Sequence, residues 1–376
     1  MTALALDTMP HDSLTASAIL TINLRAIQHN FTMLQRHVRQ SCEIAPVIKT
    51  NAYGLGMVPV AKALRDKGAK RFFVATIEEA LALRQSDALS TIHVLNGLWE
   101  KAMPEAVSAR LTPVLTSKEQ IAAWRQHTLQ QETPLPCWIQ VDTGMKRLGM
   151  PLSEATDIAE HMAQYAGLLI GGVMSHLASA YQTDNPYNEE QRLAFQQACK
   201  LFPQTPASFA NSGALLLGTP YFYDIARVGR FLYGSVNGAG TLKEAIKPVV
   251  TLRGRLLQIQ DVPKGATIGY DQTFTAPHKM RLATASLGYG DGYFQSISNK
   301  GYAKIATFKA PVVGRVSMDL TTLDVTAIPE AVLAQAEWAT FLDDTLTIDK
   351  LASWAHTNVW EILTHLGKRA LFQHTA

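Results

Sequence analysis

Ala45-Pro46-Val47-Ile48-Lys49-Thr50-Asn51-Ala52-Tyr53-Gly54-Leu55-Gly56 carries an apolar, strand-like run into a single lysine, then into a small glycine-bracketed turn that opens a helix. An amine at the mouth of an apolar strand loses hydration and so favours its neutral form, the form that attacks an aldehyde cofactor. The same features also describe a surface lysine after an edge strand, so the rest of the chain has to decide. Outward from this segment the theme repeats. Apolar, β-branched runs occur at 44–50, 71–76, 92–97, 111–117, 137–143, 168–175, 207–212 and 223–228, separated by stretches rich in Ala, Leu, Glu and Gln. Eight evenly spaced β-then-α units predict a closed (β/α)8 TIM-like barrel, with a doubly wound open sheet as the competing arrangement. After Gly234 the pattern changes to valine- and threonine-rich runs between turns, which predicts a smaller, mostly β C-terminal domain. The expected organisation is a flexible tail over 1–17, a barrel over 18–237 and a β domain over 238–376. The alternating run 18–24 is also suited to pairing with the β domain.

Composition narrows the function. The 376 residues are 47% hydrophobic and 17% charged, and 34 Lys+Arg against 31 Asp+Glu leave a formal charge of +3, so neither nucleic acid nor an anionic membrane is an expected partner. The three cysteines, Cys42, Cys137 and Cys199, are far apart and form no disulfide frame or metal-ligand spacing. No metal is expected, and a reducing, cytoplasmic setting fits. The first residues lack the basic start and apolar core of a signal peptide, and no run approaches the ~20 apolar residues that span a bilayer.

A barrel of this kind carries its chemistry at the C-terminal ends of its strands. Lys49 ends the first run, Gln140 and Asp142 the fifth, His176 the sixth, Asn211 and Ser212 the seventh, and Arg227 the eighth. Lys, Arg, His and Ser around one mouth suit a phosphorylated aromatic aldehyde: covalent anchor, partner for a ring nitrogen, flat stacking face and phosphate donor. Pyridoxal phosphate is the simplest such cofactor. Taken singly, His176 also reads as a satisfied buried histidine, Arg147 as half of an ordinary ion pair, and Ser212 as the cap of a helix beginning Gly213-Ala214-Leu215-Leu216.

Four motifs bring a resemblance into view: Lys49-Thr50-Asn51-Ala52-Tyr53-Gly54, Asp142-Thr143-Gly144-Met145-Lys146-Arg147-Leu148-Gly149, Gly288-Tyr289-Gly290-Asp291-Gly292, and Gly314-Arg315-Val316-Ser317-Met318-Asp319. In order and spacing they resemble the alanine racemases, from about Ile22 to about Arg369. The resemblance implies a head-to-tail homodimer in which each site joins one chain's barrel to its partner's β domain. Lys49 and Tyr289 would be the two bases, one for each face of the amino acid. His176 and Arg227 would supply a positive field for the Tyr289 hydroxyl, and Arg227 would donate to the pyridine nitrogen. Tyr53, Ser212 and the backbone N–H groups of Gly229 and Arg230 would hold phosphate, with Asn211 also in the cofactor site. Arg147 and the Met318 N–H would meet the substrate carboxylate, supported by Gln140, Asp319 and Trp360. The product would be D-alanine for peptidoglycan.

The chain also departs from the family pattern. Leu55 replaces a histidine, Gln140 a lysine that is often carbamylated, Trp360 a tyrosine, Arg230 an aliphatic residue and Leu371 an arginine. Gln140 and Trp360 raise the alternative of a broader amino-acid racemase acting on serine or lysine. A decarboxylase is disfavoured by the absence of cysteine after Cys199, and a non-catalytic pyridoxal phosphate carrier by the presence of the β domain with Tyr289.

Overall fold

The computed structural model describes residues 14–38, 42–129, 131–132, 134–236 and 240–375. The chain separates into two compact units, Arg25–Lys247 and a second that joins the described residues up to Leu24 to those from Pro248 onward.

In the first unit eight parallel strands follow one another: β2 (Glu43–Pro46), β3 (Arg71–Val74), β4 (Thr91–Val94), β5 (Thr112–Leu115), β6 (Pro136–Gln140), β7 (Leu169–Met174), β8 (Ala207–Ser208) and β9 (Ile225–Val228), numbered after the N-terminal strand β1 (Ala18–Asn23). Strands β3 to β8 pair in sequence order and β9 pairs with β2. Two sets of contacts close the ring: a parallel bridge from Val47 to Phe73, and bonds from Asp224 N to Ala207 O (3.1 Å) and Arg227 N to Ala210 O (2.9 Å). Inside, Ala45, Val47, Phe73, Val114, Trp138, Met174 and Ile225 form a filled core, as a barrel of eight strands requires. A Cβ on Gly172 would run into the Trp138 ring, so glycine is what lets β7 pass the indole. α-Helices follow the first six barrel strands, but the seventh and eighth units end in short 3-10 turns, Gly213–Leu216 and Arg230–Tyr233. Short turns there keep backbone N–H groups at the mouth instead of spending them inside a long helix.

The second unit is built on a sheet whose main path runs β15 (Phe308–Pro311), β14 (Tyr302–Ile305), β17 (Trp338–Leu342), β10 (Val250–Val262), β1, β18 (Leu371–Thr375). The strands β13 (Met280–Ser286) and β16 (Thr321–Asp324) branch from β10, and β11 (Thr267–Ile268) pairs with β12 (Phe274–Thr275) as a separate two-stranded ribbon. Strand β1 lies antiparallel to β10, Leu20 opposite Leu252, and parallel to β18, Leu20 opposite Phe372. The two units divide at Leu24/Arg25 and at Lys247/Pro248. Strand 18–23 has both edges taken by the β sheet. Lys247 stays with the barrel because the Asn30 amide donates to Lys247 O (2.9 Å) and accepts from Lys247 N (2.8 Å). Of the expected flexible tail, residues 1–13 lie outside the described residues. Its end is fixed, with Arg255 donating to Ala16 O and Leu14 O at 3.0 Å each.

Candidate active site

Lys49 does not lead directly into a right-handed helix. Thr50, Asn51, Ala52 and Tyr53 all adopt left-handed backbone angles, with φ of 53°, 53°, 54° and 56°. For L-residues other than glycine each such step costs about 1–2 kcal/mol, and runs of them are rare. The surroundings hold the turn. Ala52 N donates to Ile48 O (2.8 Å), Gly56 N to Asn51 O (3.0 Å), and the Asn51 side chain accepts Met57 N (2.7 Å), where the right-handed helix Met57–Arg65 begins. Glu79, in a capping box with Thr76, also accepts from Thr50 N and Ala75 N. Ala52 and Leu55 are fully buried, so the turn rests on the core through both side chains. Burial first, and then the Arg147 charge, holds the Lys49 amine below its ordinary value, against the opposing pull of Glu79.

Arg227 projects from β9 and is 3% exposed, and no carboxylate among the described residues pairs with it. One terminal nitrogen, Nη1, donates to Ser208 O (2.9 Å) and Ser208 Oγ (2.5 Å); the other, Nη2, donates to Ser175 O (2.6 Å) and lies 3.3 Å from His176 Nδ1. Because a guanidinium only donates, His176 Nδ1 is the acceptor and the imidazole proton sits on Nε2. Burial, and then Arg227, Arg147 and Lys49, push the His176 pKa down to about 3. The expected positive contribution of His176 is thus corrected: the ring is neutral, since a second buried cation beside Arg227 would be repelled. Burial lowers Arg227 itself to about 9, which leaves it charged at neutral pH.

The turns after β8 and β9 face one another. The Ser212 hydroxyl accepts the Gly229 N–H at 3.2 Å, and a Cβ on Gly229 would meet Tyr53 Oη at 2.6 Å. Tyr53 leans on Tyr233 with ring centroids 4.8 Å apart, and the Tyr233 hydroxyl donates to Val47 O (2.9 Å). Arg230 lies 4.3 Å over the ring of Tyr181; burial raises the Tyr181 pKa, against the opposing pull of Arg230 and Ser212. Ser212 therefore does not cap the following turn; the Asn211 side chain does, accepting Ala214 N at 3.1 Å while donating to Leu177 O at 3.4 Å. Gln140 is buried and donates to Leu148 O (2.9 Å), bracing the loop on which Arg147 stands exposed.

In the second unit Tyr289 and Met318 lie on adjoining loops, 42% and 54% exposed. Tyr289 N donates to Ser317 O (3.0 Å) and Gly290 N to Met318 O (2.8 Å). A Cβ on Gly288 would run into the carbonyls of Ser317 and Met318, so this turn needs glycine. Asp319 pairs with Arg369 at 2.6 Å. Trp360 lies in the first turn of the helix Val359–His365, its N–H capped by Asn358 at 3.0 Å. The sequence patterns do not assign a role to Glu79, Ser208, Tyr181, Asp291 or Arg369, which the structure brings to these sites. Only Glu79 had a legible signal, the Thr76-Ile77-Glu78-Glu79 capping pattern.

The barrel mouth fits pyridoxal phosphate on its own terms. A buried guanidinium without a counter-ion is costly until an acceptor arrives. A lysine with a lowered pKa stands at a strand end, and a cradle that a single Cβ would fill is rimmed by hydroxyls, backbone N–H groups and Arg230. Arg227 would meet the ring nitrogen, Lys49 the aldehyde carbon, and Ser212, Tyr53, Gly229 and Arg230 the phosphate.

The comparisons with known proteins agree. Family models described as the N-terminal and C-terminal domains of alanine racemase match residues 22–237 and 249–373. "Alanine racemase, catabolic" of Agrobacterium fabrum is 40% identical over 355 residues, covering 94% of this chain and 91% of that protein. Alanine racemase of Rickettsia peacockii is 38% identical over 349 residues, covering 93% and 96%. The solved alanine racemase of Bartonella henselae, described as carrying covalently bound pyridoxal phosphate, superposes with a TM-score of 0.89 at 34% identity, over 96% of this chain and 100% of that one. Two family domains in order, spanning nearly the whole sequence, place this chain in the alanine racemase family.

Proposed function

We propose that the protein interconverts L- and D-alanine by a two-base mechanism with pyridoxal phosphate, an isomerase reaction. The observation that carries this reading is the pairing of a neutral-prone Lys49 with an uncompensated, buried Arg227 at one barrel mouth, in a chain of this family. When bound, the cofactor withdraws electrons from the amino acid and makes its α-hydrogen acidic. Lys49, held below its ordinary pKa, anchors the cofactor and moves the proton on one face at Nζ; Tyr289 moves it on the other at Oη. Arg227 keeps its proton and so donates to the ring nitrogen without protonating it, which limits electron withdrawal and disfavours side reactions. Neutral His176, with its proton on Nε2, offers a hydrogen bond that stabilises a tyrosinate without adding charge. Arg147 and the Met318 N–H bind the substrate carboxylate. The Gly229 N–H, now on Ser212 Oγ, joins the hydroxyl in holding phosphate.

We further propose a homodimer in which Tyr289 and Met318 serve the partner's barrel; support comes from their exposure on one face of the second unit. Among the described residues no helix is long and apolar enough to cross a membrane. Relatives bear both catabolic and biosynthetic names, the latter in the Pseudomonas aeruginosa structure. Supply of peptidoglycan is therefore tested by deleting the gene and scoring the requirement for D-alanine.

The direct test is addition of pyridoxal phosphate, a spectrum, then L-alanine with enzymatic detection of D-alanine. A visible band at about 420 nm with D-alanine formed supports the reading. A band with serine or lysine racemised faster than alanine shifts it to the broader racemase. No band overturns the role of Lys49.

A further inference from the structure

Tyr289 opens the short 3-10 turn Tyr289–Asp291 and Met318 lies outside any strand or helix; backbone bonds from Tyr289 N to Ser317 O and from Gly290 N to Met318 O join the two segments. A third residue, distant in sequence, ties them. Arg369, just before β18, forks Asp291 through Nε to Oδ1 (2.9 Å) and Nη2 to Oδ2 (2.9 Å), and reaches Asp319 through Nη1 (2.6 Å). Its Nη2 also lies 3.4 Å from Met318 O. Asp291 in turn accepts Gly288 N at 2.9 Å, and its backbone carbonyl accepts Gly367 N at 2.9 Å. Asp291 is 5% exposed, so without the fork its carboxylate would be buried and unpaired. Gly290 is required beside it: a Cβ there would lie 2.9 Å from Arg369 Nη2. One planar guanidinium therefore spends both edges on the two loops, which a single-point ammonium does not reproduce.

We infer that Arg369 is a positioning residue that sets Tyr289 Oη and the Met318 N–H relative to one another, so that proton transfer on the tyrosine face and the grip on the substrate carboxylate are built as one unit. This rests on the roles proposed above for Tyr289 and Met318. Loss of the clamp loosens the turn while the sheet beneath it stays folded, because β13 and β16 are paired independently of it.

Two measurements test it. In the cofactor-free protein, Arg369→Gln should raise amide hydrogen exchange at Tyr289 and Gly290 by about ten-fold or more, with β10 and β13 unchanged. In the loaded enzyme at saturating substrate in D2O, the variant should slow by about ten-fold the α-hydrogen exchange that Tyr289→Phe abolishes. The exchange that depends on Lys49 should stay within about three-fold, and KM should rise for both enantiomers. Arg369→Lys should recover only part, and Asp291→Asn should reproduce the effect should Arg369→Gln fail to fold. Unchanged protection at Tyr289 and Gly290, equal loss of both exchanges, or full recovery by lysine would each overturn the inference. A wild-type enzyme that neither racemises nor exchanges alanine would instead sink the proposed function, while the amide measurement would still judge the clamp.

Discussion

The two turns that carry the proposed bases are built in opposite ways. The Lys49 turn is strained and sealed: four left-handed residues over a buried Ala52, braced by Asn51 and Glu79, at the mouth of a closed barrel. The Tyr289 turn is an ordinary 3-10 turn, exposed, and fastened by an arginine with two carboxylates. The first turn sets the protonation of its base through burial and the neighbouring Arg147 charge. The second sets position alone and leaves the environment of its hydroxyl to whatever covers it. A two-base enzyme thus prepares one base chemically and the other mechanically.

Breaking the first turn should have the largest effect. Lys49→Ala should abolish the visible band and lower racemisation by about 10,000-fold or more, read as D-alanine formed from L-alanine. Retained racemisation would remove Lys49 from the mechanism. Tyr289→Phe should cost about 100- to 10,000-fold. Since enantiomers have equal energy, kcat/KM must fall equally in both directions, so the loss is located by exchange in D2O. One enantiomer should still trade its α-hydrogen with retained configuration and the other should not; exchange lost from both would mean the bases are not divided between faces.

Gly229→Ala sharpens the comparison by touching the sealed region without touching a base. The new Cβ would meet Tyr53 Oη at 2.6 Å, and overpacking of about 1–3 kcal/mol should weaken cofactor binding by roughly 5- to 150-fold with little change in turnover at saturation. Equilibrium dialysis with pyridoxal phosphate measures it, and unaltered affinity would remove Gly229 from the phosphate cradle. The smallest effect concerns His176. Its folded pKa of about 3 lies below the ordinary 6.5, so between these values the unfolded chain binds a proton that the folded chain refuses. Stability therefore rises with pH across that window and is lost on acidification. Urea denaturation of the cofactor-free protein at about pH 6.5 and about pH 5 should show a loss of about 1–2 kcal/mol that His176→Gln removes. An unchanged acid sensitivity in the variant would mean that His176 is charged in the folded state.

Much of this was legible in the residues. Eight apolar runs announced the barrel strands, and the alternation of 18–24 hinted at its place beside β10. Lys49 and Arg227 could be proposed because strand ends are set by local pattern. The handedness of the Lys49 turn was not legible, because nothing in Thr50-Asn51-Ala52-Tyr53 favours four left-handed residues. The hydrogen bond that Thr50 N donates to Glu79 and the burial of Ala52 impose them. Ser212 and Asn211 are both competent caps, and only the approach of Gly229 from the next unit decided which hydroxyl or amide served which turn. By resemblance alone His176 was expected to be cationic; its neutrality follows first from burial and then from the three charges that the barrel gathers around it.

By itself, then, the sequence determined which residues can do the chemistry and on which kind of element each stands, since periodicity and residue type act locally. Only the tertiary structure decided what state they are in: the strain beneath Lys49, the neutral ring of His176, the uncompensated charge of Arg227 and the reach of Arg369 across 78 residues to Asp291. Strain, protonation and long-range ion pairing are properties of surroundings, and surroundings exist only once the chain has closed on itself.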